Sequence, residues 1–173
     1  MVNRVILTGP ESTGKTTLAE ILGKEFHCDV VPEIARTYLT ERGETYQYKD
    51  VELMAKAQQF AEDSAGVCNR MLILDTDQIN FAVWMFKKYG SILKEVEDRI
   101  KRYSNENRLY LLCYPDLPWQ EDPLRESKNE RPEIFYLHKQ LLDDFRLNYC
   151  LIQGFGSERP EQAKRMVNEC FNF

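Results

Sequence analysis

Arg4-Val5-Ile6-Leu7-Thr8-Gly9-Pro10-Glu11-Ser12-Thr13-Gly14-Lys15-Thr16 is a short β-prone run that opens into a glycine loop. From Gly9 to Thr16 it fits G-x-x-x-x-G-K-[ST] at every fixed position, and Leu18, Ile21 and Leu22 then recur at helical spacing. Strand, glycine loop and helix together are the context in which that string becomes a phosphate site. The glycines reach backbone conformations closed to other residues, so the chain can close around an anion. Successive N–H groups and the helix N-terminus then point at it. On this reading Gly9, Glu11, Ser12, Thr13, Gly14, Lys15, Thr16 and Thr17 form the cradle for ATP. Lys15 reaches the β- and γ-phosphates, and the Thr16 hydroxyl sits on Mg²⁺.

Outward from the loop, short apolar runs read as strands: Val5–Thr8, Met71–Asp75, Leu109–Cys113 and Tyr149–Gln153, with a weaker one at Asp29–Val31. The first four are expected to be buried on both faces. Helical periods lie between them, at Thr16–Phe26, Ile34–Glu41, Val51–Cys68, Ile79–Lys88, Ile92–Tyr103, Phe135–Phe145 and Pro160–Phe171. Strands alternating with helices predict an α/β, three-layer P-loop NTPase fold with a five-stranded parallel sheet. The whole of 1–173 is expected to form one domain. Segment 114–133 breaks the rhythm, with Pro115, Pro118 and Pro123 among many charges. It is either a lid inserted after a strand or a solvated surface loop.

Composition narrows the partners. Twenty-eight acidic against 23 basic residues leave a formal charge of −5, which argues against a nucleic-acid backbone or an anionic membrane as the main partner. The five cysteines, Cys28, Cys68, Cys113, Cys150 and Cys170, are scattered and form no C-x-x-C. Cys113 and Cys150 lie in apolar runs and read as buried thiols of a reducing cytoplasm. With only His27 and His138 to add, no zinc spacing arises. No stretch approaches a membrane span, and no signal peptide is expected at the amino terminus.

In parallel α/β sheets ligands bind at the carboxyl ends of the strands, which selects the residues to inspect. Asp75 ends Met71-Leu72-Ile73-Leu74 and would aim an acid at the Mg²⁺ beside the glycine loop. Asp77 either caps the helix beginning near Ile79 or holds a substrate hydroxyl. Glu33, in Val31-Pro32-Glu33-Ile34-Ala35-Arg36, stands where a carboxylate could accept or orient the proton of an attacking hydroxyl. Arg36 could pair with Glu33 or reach the substrate. Arg125 and Arg131 are the candidate mobile cations for the transferring phosphoryl. Trp119 and Trp84 could stack on a flat ring, although Trp84 fits a core position equally well. Segment 154–158 is where adenine would lie. The N-K-x-D string that reads guanine in GTPases does not occur, and Ser127-Lys128-Asn129-Glu130 does not replace it.

On Gly9–Thr17, Pro32-Glu33-Ile34-Ala35-Arg36, Leu74-Asp75-Thr76-Asp77 and Trp119-Gln120-Glu121-Asp122-Pro123-Leu124-Arg125, the chain resembles the kinase domain of NadR-type ribosylnicotinamide kinases and their AAA-like P-loop relatives. The resemblance spans essentially the whole sequence. It implies transfer of the γ-phosphoryl of ATP, with Mg²⁺, to the 5′-hydroxyl of nicotinamide riboside, a small-molecule nucleoside partner. It also implies 119–125 as the lid, Lys15, Glu33, Asp75, Arg125 and Arg131 as catalytic residues, and Glu33, Arg36, Phe60 and Asp77 on the substrate. Some members place an aromatic residue before the glutamate, where this chain has Pro32, and Phe60 offers one side of a ring slot instead. Larger members carry an adenylyltransferase domain, whereas no H-x-G-H-like string occurs here, so that second step is not expected. The rival readings are a kinase of another nucleoside or small alcohol, and a regulatory ATP-binding module.

Overall fold

The computed structural model describes residues 2–43, 45–67 and 70–171. Its strands are β1 (Asn3–Thr8), β2 (Asp29–Val31), β3 (Met71–Asp75), β4 (Arg108–Cys113) and β5 (Tyr149–Ile152). They form one parallel sheet in the order β2-β3-β1-β4-β5. The helices are α1 (Lys15–Glu25), α2 (Ile34–Arg42), α3 (Tyr48–Gly66), α4 (Gln78–Tyr89), α5 (Lys94–Tyr103), α6 (Arg131–Asp144) and α7 (Glu158–Phe171).

Side chains alternate across a strand with period two, so parity assigns each apolar residue to a face. Val5, Leu7, Ile73, Leu109 and Leu111 pack under α1 and α7, against Leu18, Ala19, Leu22, Ala163 and Val167. Ile6, Leu72, Leu74, Tyr110 and Leu112 face α2 to α6, where Leu39, Met54, Ile79, Phe81, Ile100 and Phe135 close the second core. Three-layer burial of this kind is the expected doubly covered sheet, and β1, β3 and β4 are buried throughout apart from the first residues of β1.

Of the four runs expected to be buried on both faces, the edge strand β5 departs, and β2 on the other edge is likewise open. Asp29, Tyr149, Cys150 and Leu151 are partly or largely exposed, because β2 and β5 have a neighbour on one side only. Cys150 is accordingly half-buried, whereas Cys113 on the inner β4 is fully buried. The expected end of the third helix at Cys68, and that cysteine itself, lie outside the described residues. Segment 114–130 contains neither helix nor strand, and residues 131–133, which the sequence placed in the same irregular segment, form the first turn of α6. Pro132 explains that start, since proline's fixed φ and missing N–H suit the first turn of a helix. Among the described residues no helix is long and apolar enough to cross a membrane.

Candidate active site

The central position of β1 decides where the site lies. Leu7 is paired with Asp75 of β3, and Thr8 with Leu112 of β4, so the loop leaving β1 emerges between two strand ends. Gly9 has φ 126, and a Cβ there would stand 2.7 Å from the Cys113 carbonyl oxygen. Only glycine lets the backbone pass that close. Gly14, at φ 76, turns the loop into α1. Above the loop opens a cleft of about 780 Å³, walled by α2, α4, α6, segment 117–127 and the start of α7.

At the phosphate end, the Lys15 ammonium donates to the carbonyls of Gly9 at 2.9 Å and Pro10 at 2.7 Å, folding back over its own loop. The Thr16 hydroxyl donates to Asp75 Oδ2 at 2.6 Å, while Asp75 Oδ1 is buried with no hydrogen-bond partner. Burial pushes the Asp75 carboxyl up, against the opposing pulls of the Thr16 hydrogen bond and the Lys15 charge. The exposed Thr16 hydroxyl and the buried, unpartnered Asp75 Oδ1 beside it are oxygens of the kind a hard cation takes. Among the described residues no group of three or more His, Cys, Asp or Glu could hold a metal by itself.

Facing Lys15 and Asp75 is Glu33, at the turn between β2 and α2. Gln58 of α3 clamps this turn, accepting from the Ile34 N–H at 2.9 Å and donating to the Pro32 carbonyl at 3.1 Å. The Glu33 side chain itself makes no hydrogen bond or ion pair among the described residues. Desolvation raises its carboxyl above the ordinary range, partly opposed by the Lys15 charge and reinforced by Asp75. Arg36 pairs with Asp122 of the irregular segment at 2.8 Å rather than with Glu33, its near neighbour in sequence.

That pair is one of several ties between the irregular segment and the glycine loop. The Glu11 carboxylate accepts from the N–H groups of Glu126 and Ser127, at 3.2 and 3.0 Å. Ser12 Oγ accepts from the Gln120 N–H at 2.8 Å. Arg125 lines the cleft and donates to the Gln120 carbonyl at 2.6 Å.

Two expected substrate residues and one expected catalytic residue stand elsewhere. Asp77 is fully buried: its carboxylate accepts from the Ile79 N–H, the Tyr110 hydroxyl and the Arg108 guanidinium, and so caps α4 and leaves the cleft. The intervening Thr76 has φ 82, a costly conformation for a β-branched residue, and it turns Asp77 back under the sheet. Phe60 is 74% exposed on α3, a helix that contributes no residue to the cleft lining. Arg131 donates to the carbonyls of Leu117 at 2.9 Å and Ser12 at 3.3 Å and lies over Trp119, bracing the wall without lining the cleft.

Other wall residues carried no signal in the sequence reading. Asn80 accepts from the Thr8 hydroxyl at 2.9 Å. Arg159, only 5% exposed, donates to the Thr13 carbonyl at 2.9 Å and pairs with Asp116. Gly156, from the expected adenine segment, lines the cleft beside it. At the opposite end Trp84 stacks on Phe81, meets Tyr46 edge-on and donates to the Tyr46 hydroxyl, serving core and cleft wall at once.

Comparison with known proteins agrees with this architecture. No curated protein sequence matches the chain. Among solved structures it is similar to NadR protein in complex with NR (TM-score 0.75, 22% identity, covering 99% of this chain and 50% of that one). It is likewise similar to NadR protein in complex with NAD and AMP-PNP (TM-score 0.73, 21% identity, the same 99% and 50%). A deoxyadenosine kinase from M. mycoides with products bound shares the fold at TM-score 0.65 and 11% identity, over 96% of this chain and 99% of that one. The chain spans half the length of the two NadR chains, and at these identities the likeness is one of fold. Residues 4–159 match the family described as AAA domain, and with its glycine loop, central β1 and parallel sheet in place, the chain belongs to that family.

Proposed function

We propose that this protein is a kinase that moves the γ-phosphoryl of ATP to the 5′-hydroxyl of nicotinamide riboside. The observation that carries the reading is Glu33. It is an ionisable carboxylate with no partner, set opposite Lys15 and Asp75 across the cleft and held in place by Gln58. An alcohol titrates far above neutrality, so its attack on a phosphoryl group needs a base within hydrogen-bond reach. A carboxyl raised by desolvation is a stronger base than a solvent-exposed one, and Glu33 receives or orients the hydroxyl proton in this scheme.

The backbone N–H groups of 9–16 and the Lys15 ammonium hold the β- and γ-phosphates, which draws Lys15 off the Gly9 and Pro10 carbonyls. Thr16 and Asp75 would hold Mg²⁺, which when bound neutralises charge on the phosphate oxygens. Segment 114–130 acts as the lid, and Arg125 is its cation nearest the transferring group. The adenine lies against 154–158, with Arg159 fixing that side of the loop. Tyr46 and Trp84 supply an aromatic end to the cleft, against which a flat ring can pack. The fold likeness to the NadR complex with NR supports this acceptor.

Incubating the protein with ATP, Mg²⁺ and a panel of nucleosides, read by mass for one phosphate gained, tests the reading. Nicotinamide riboside should gain the phosphate. Gain on another nucleoside alone would retain the kinase and reject this acceptor.

A further inference from the structure

His138 on α6 is 2% exposed and lines the floor of the cleft with Ile134 and Val83. Its Nδ1 lies 2.8 Å from the Ile134 carbonyl oxygen, one helical turn back. A carbonyl can only accept, so Nδ1 carries the proton and donates. Burial depresses the imidazole pKa to about 3, with the Lys15 charge adding to the same effect. The ring is therefore neutral across the physiological range, and Nε2 is a bare lone pair.

That Nε2 is buried with no hydrogen-bond partner. Leaving a buried polar atom unsatisfied costs stability, and such atoms are few in folded proteins. Phenylalanine or leucine would fill this position at no such cost. Moreover, the group cannot act as a base: it stays unprotonated in both directions of any reaction near neutrality. What it can do is accept a hydrogen bond from something that enters the cleft.

We infer that His138 is a specificity-determining residue, whose Nε2 accepts a hydrogen bond from a ring hydroxyl of the phosphoryl acceptor. This rests on the kinase reading above. The cleft then selects a polyhydroxylated acceptor over its deoxy analogue: without the hydroxyl Nε2 stays unpaired, and with it both groups are satisfied. Discrimination through a built hydrogen-bonding partner is far steeper than discrimination by an apolar wall.

The test uses the full chain with ATP, Mg²⁺ and each nucleoside that it phosphorylates, together with the 2′-deoxy and 3′-deoxy forms of that nucleoside. Wild-type protein should prefer the ribonucleoside over one of the two deoxy forms by roughly tenfold or more in kcat/KM. His138→Phe, which keeps the ring volume and removes the lone pair, should erase that preference by raising the KM of the ribonucleoside, with the KM of ATP unchanged. His138→Gln, which returns an acceptor atom close to the Nε2 position, should restore part of it.

In long-range ¹H–¹⁵N spectra, adding the nucleoside should shift the His138 Nε2 resonance while Nδ1 stays in place, a signature that a merely structural histidine lacks. Equal losses on the ribo and both deoxy substrates in His138→Phe, no wild-type discrimination, or a silent Nε2 would each overturn the inference. If the wild type phosphorylates another nucleoside and leaves nicotinamide riboside untouched, only the proposed acceptor falls, and His138 is judged on the nucleoside that reacts. No phosphate gain on any nucleoside would overturn both.

Discussion

Asp75 and Asp77 stand two residues apart at the end of one strand and serve opposite ends. Asp75 keeps a buried oxygen bare beneath the Thr16 hydroxyl that lines the cleft, and Glu33 on the cleft wall makes no side-chain hydrogen bond or ion pair among the described residues. Asp77 is turned under the sheet into a second cluster, where it and Glu62 close on Arg108, with Arg4, Arg99 and Glu106 around the rim. Tyr110 donates to Asp77, and the Tyr103 ring packs against the Arg108 guanidinium. Both regions bury acids. One satisfies them with cations from three elements, and the other leaves them for a ligand. For the acids of this molecule, a carboxylate oxygen left without a partner, more than burial, separates the site from the structural cluster.

The comparison breaks first at Arg108. Arg108→Leu leaves the buried Asp77 without its counter-charge and Glu62 with only Arg4 and Arg99, and should cost about 3–5 kcal/mol of stability. Chemical denaturation reads the loss, and kcat of the fraction that remains folded should be nearly unchanged. If activity fell and stability held, the two regions would have to be exchanged.

Lys15→Ala is the matching cut in the cleft. It should lower kcat by about two to three orders of magnitude and weaken nucleotide binding, with the unfolding midpoint near that of wild type. A folded variant with near-normal turnover would remove the phosphate site from this loop.

Glu33→Gln keeps the shape and deletes the base, so kcat should drop by about a hundredfold while ATP still binds. The raised carboxyl also sets the acid limb of kcat/KM, which should lie above the ordinary glutamate range in the wild type and vanish in the variant. Stability should move the other way. A carboxyl that titrates higher folded than unfolded favours folding when protonated. That contribution is complete below the ordinary glutamate pKa and lost as pH rises through the raised value. At neutral pH Glu33→Gln therefore raises Tm, and the gain disappears in acid. A Tm that fell at neutral pH would mean that Glu33 has a structural partner.

The smallest effects belong to the irregular segment. Arg125→Ala should reduce kcat about tenfold more than it changes acceptor KM, as a contact acting on developing charge does. Arg131→Ala should act less, through looser bracing of Ser12 and Leu117. Equal losses in the two variants would place Arg131 on the phosphoryl group after all.

Much of the cleft was legible because its parts are local. The loop 9–16, the acid that ends Met71–Asp75, and the Glu33 turn each depend on a few consecutive residues and on the rule that parallel strands present their carboxyl ends to ligands. Asp77 and Phe60 misled for the same reason. Their sequence neighbourhood was right, but the direction of a side chain after a turn such as Thr76, or around a helix such as α3, is set by what packs against it. Gln58, Asn80, His138 and Arg159 carried no signal, since each acts on a residue 24 or more positions away or on an empty place in the cleft.

By itself, then, the sequence determined the layer architecture, the central phosphate loop and the acids beside it, because period and spacing act over a few residues. Which acids would be spent on cations and which left bare was decided only by tertiary structure. Arg108, Arg36 and the 114–130 segment reach their partners across the sheet and across the cleft, and pairings over such separations are set by packing and leave no pattern in the chain.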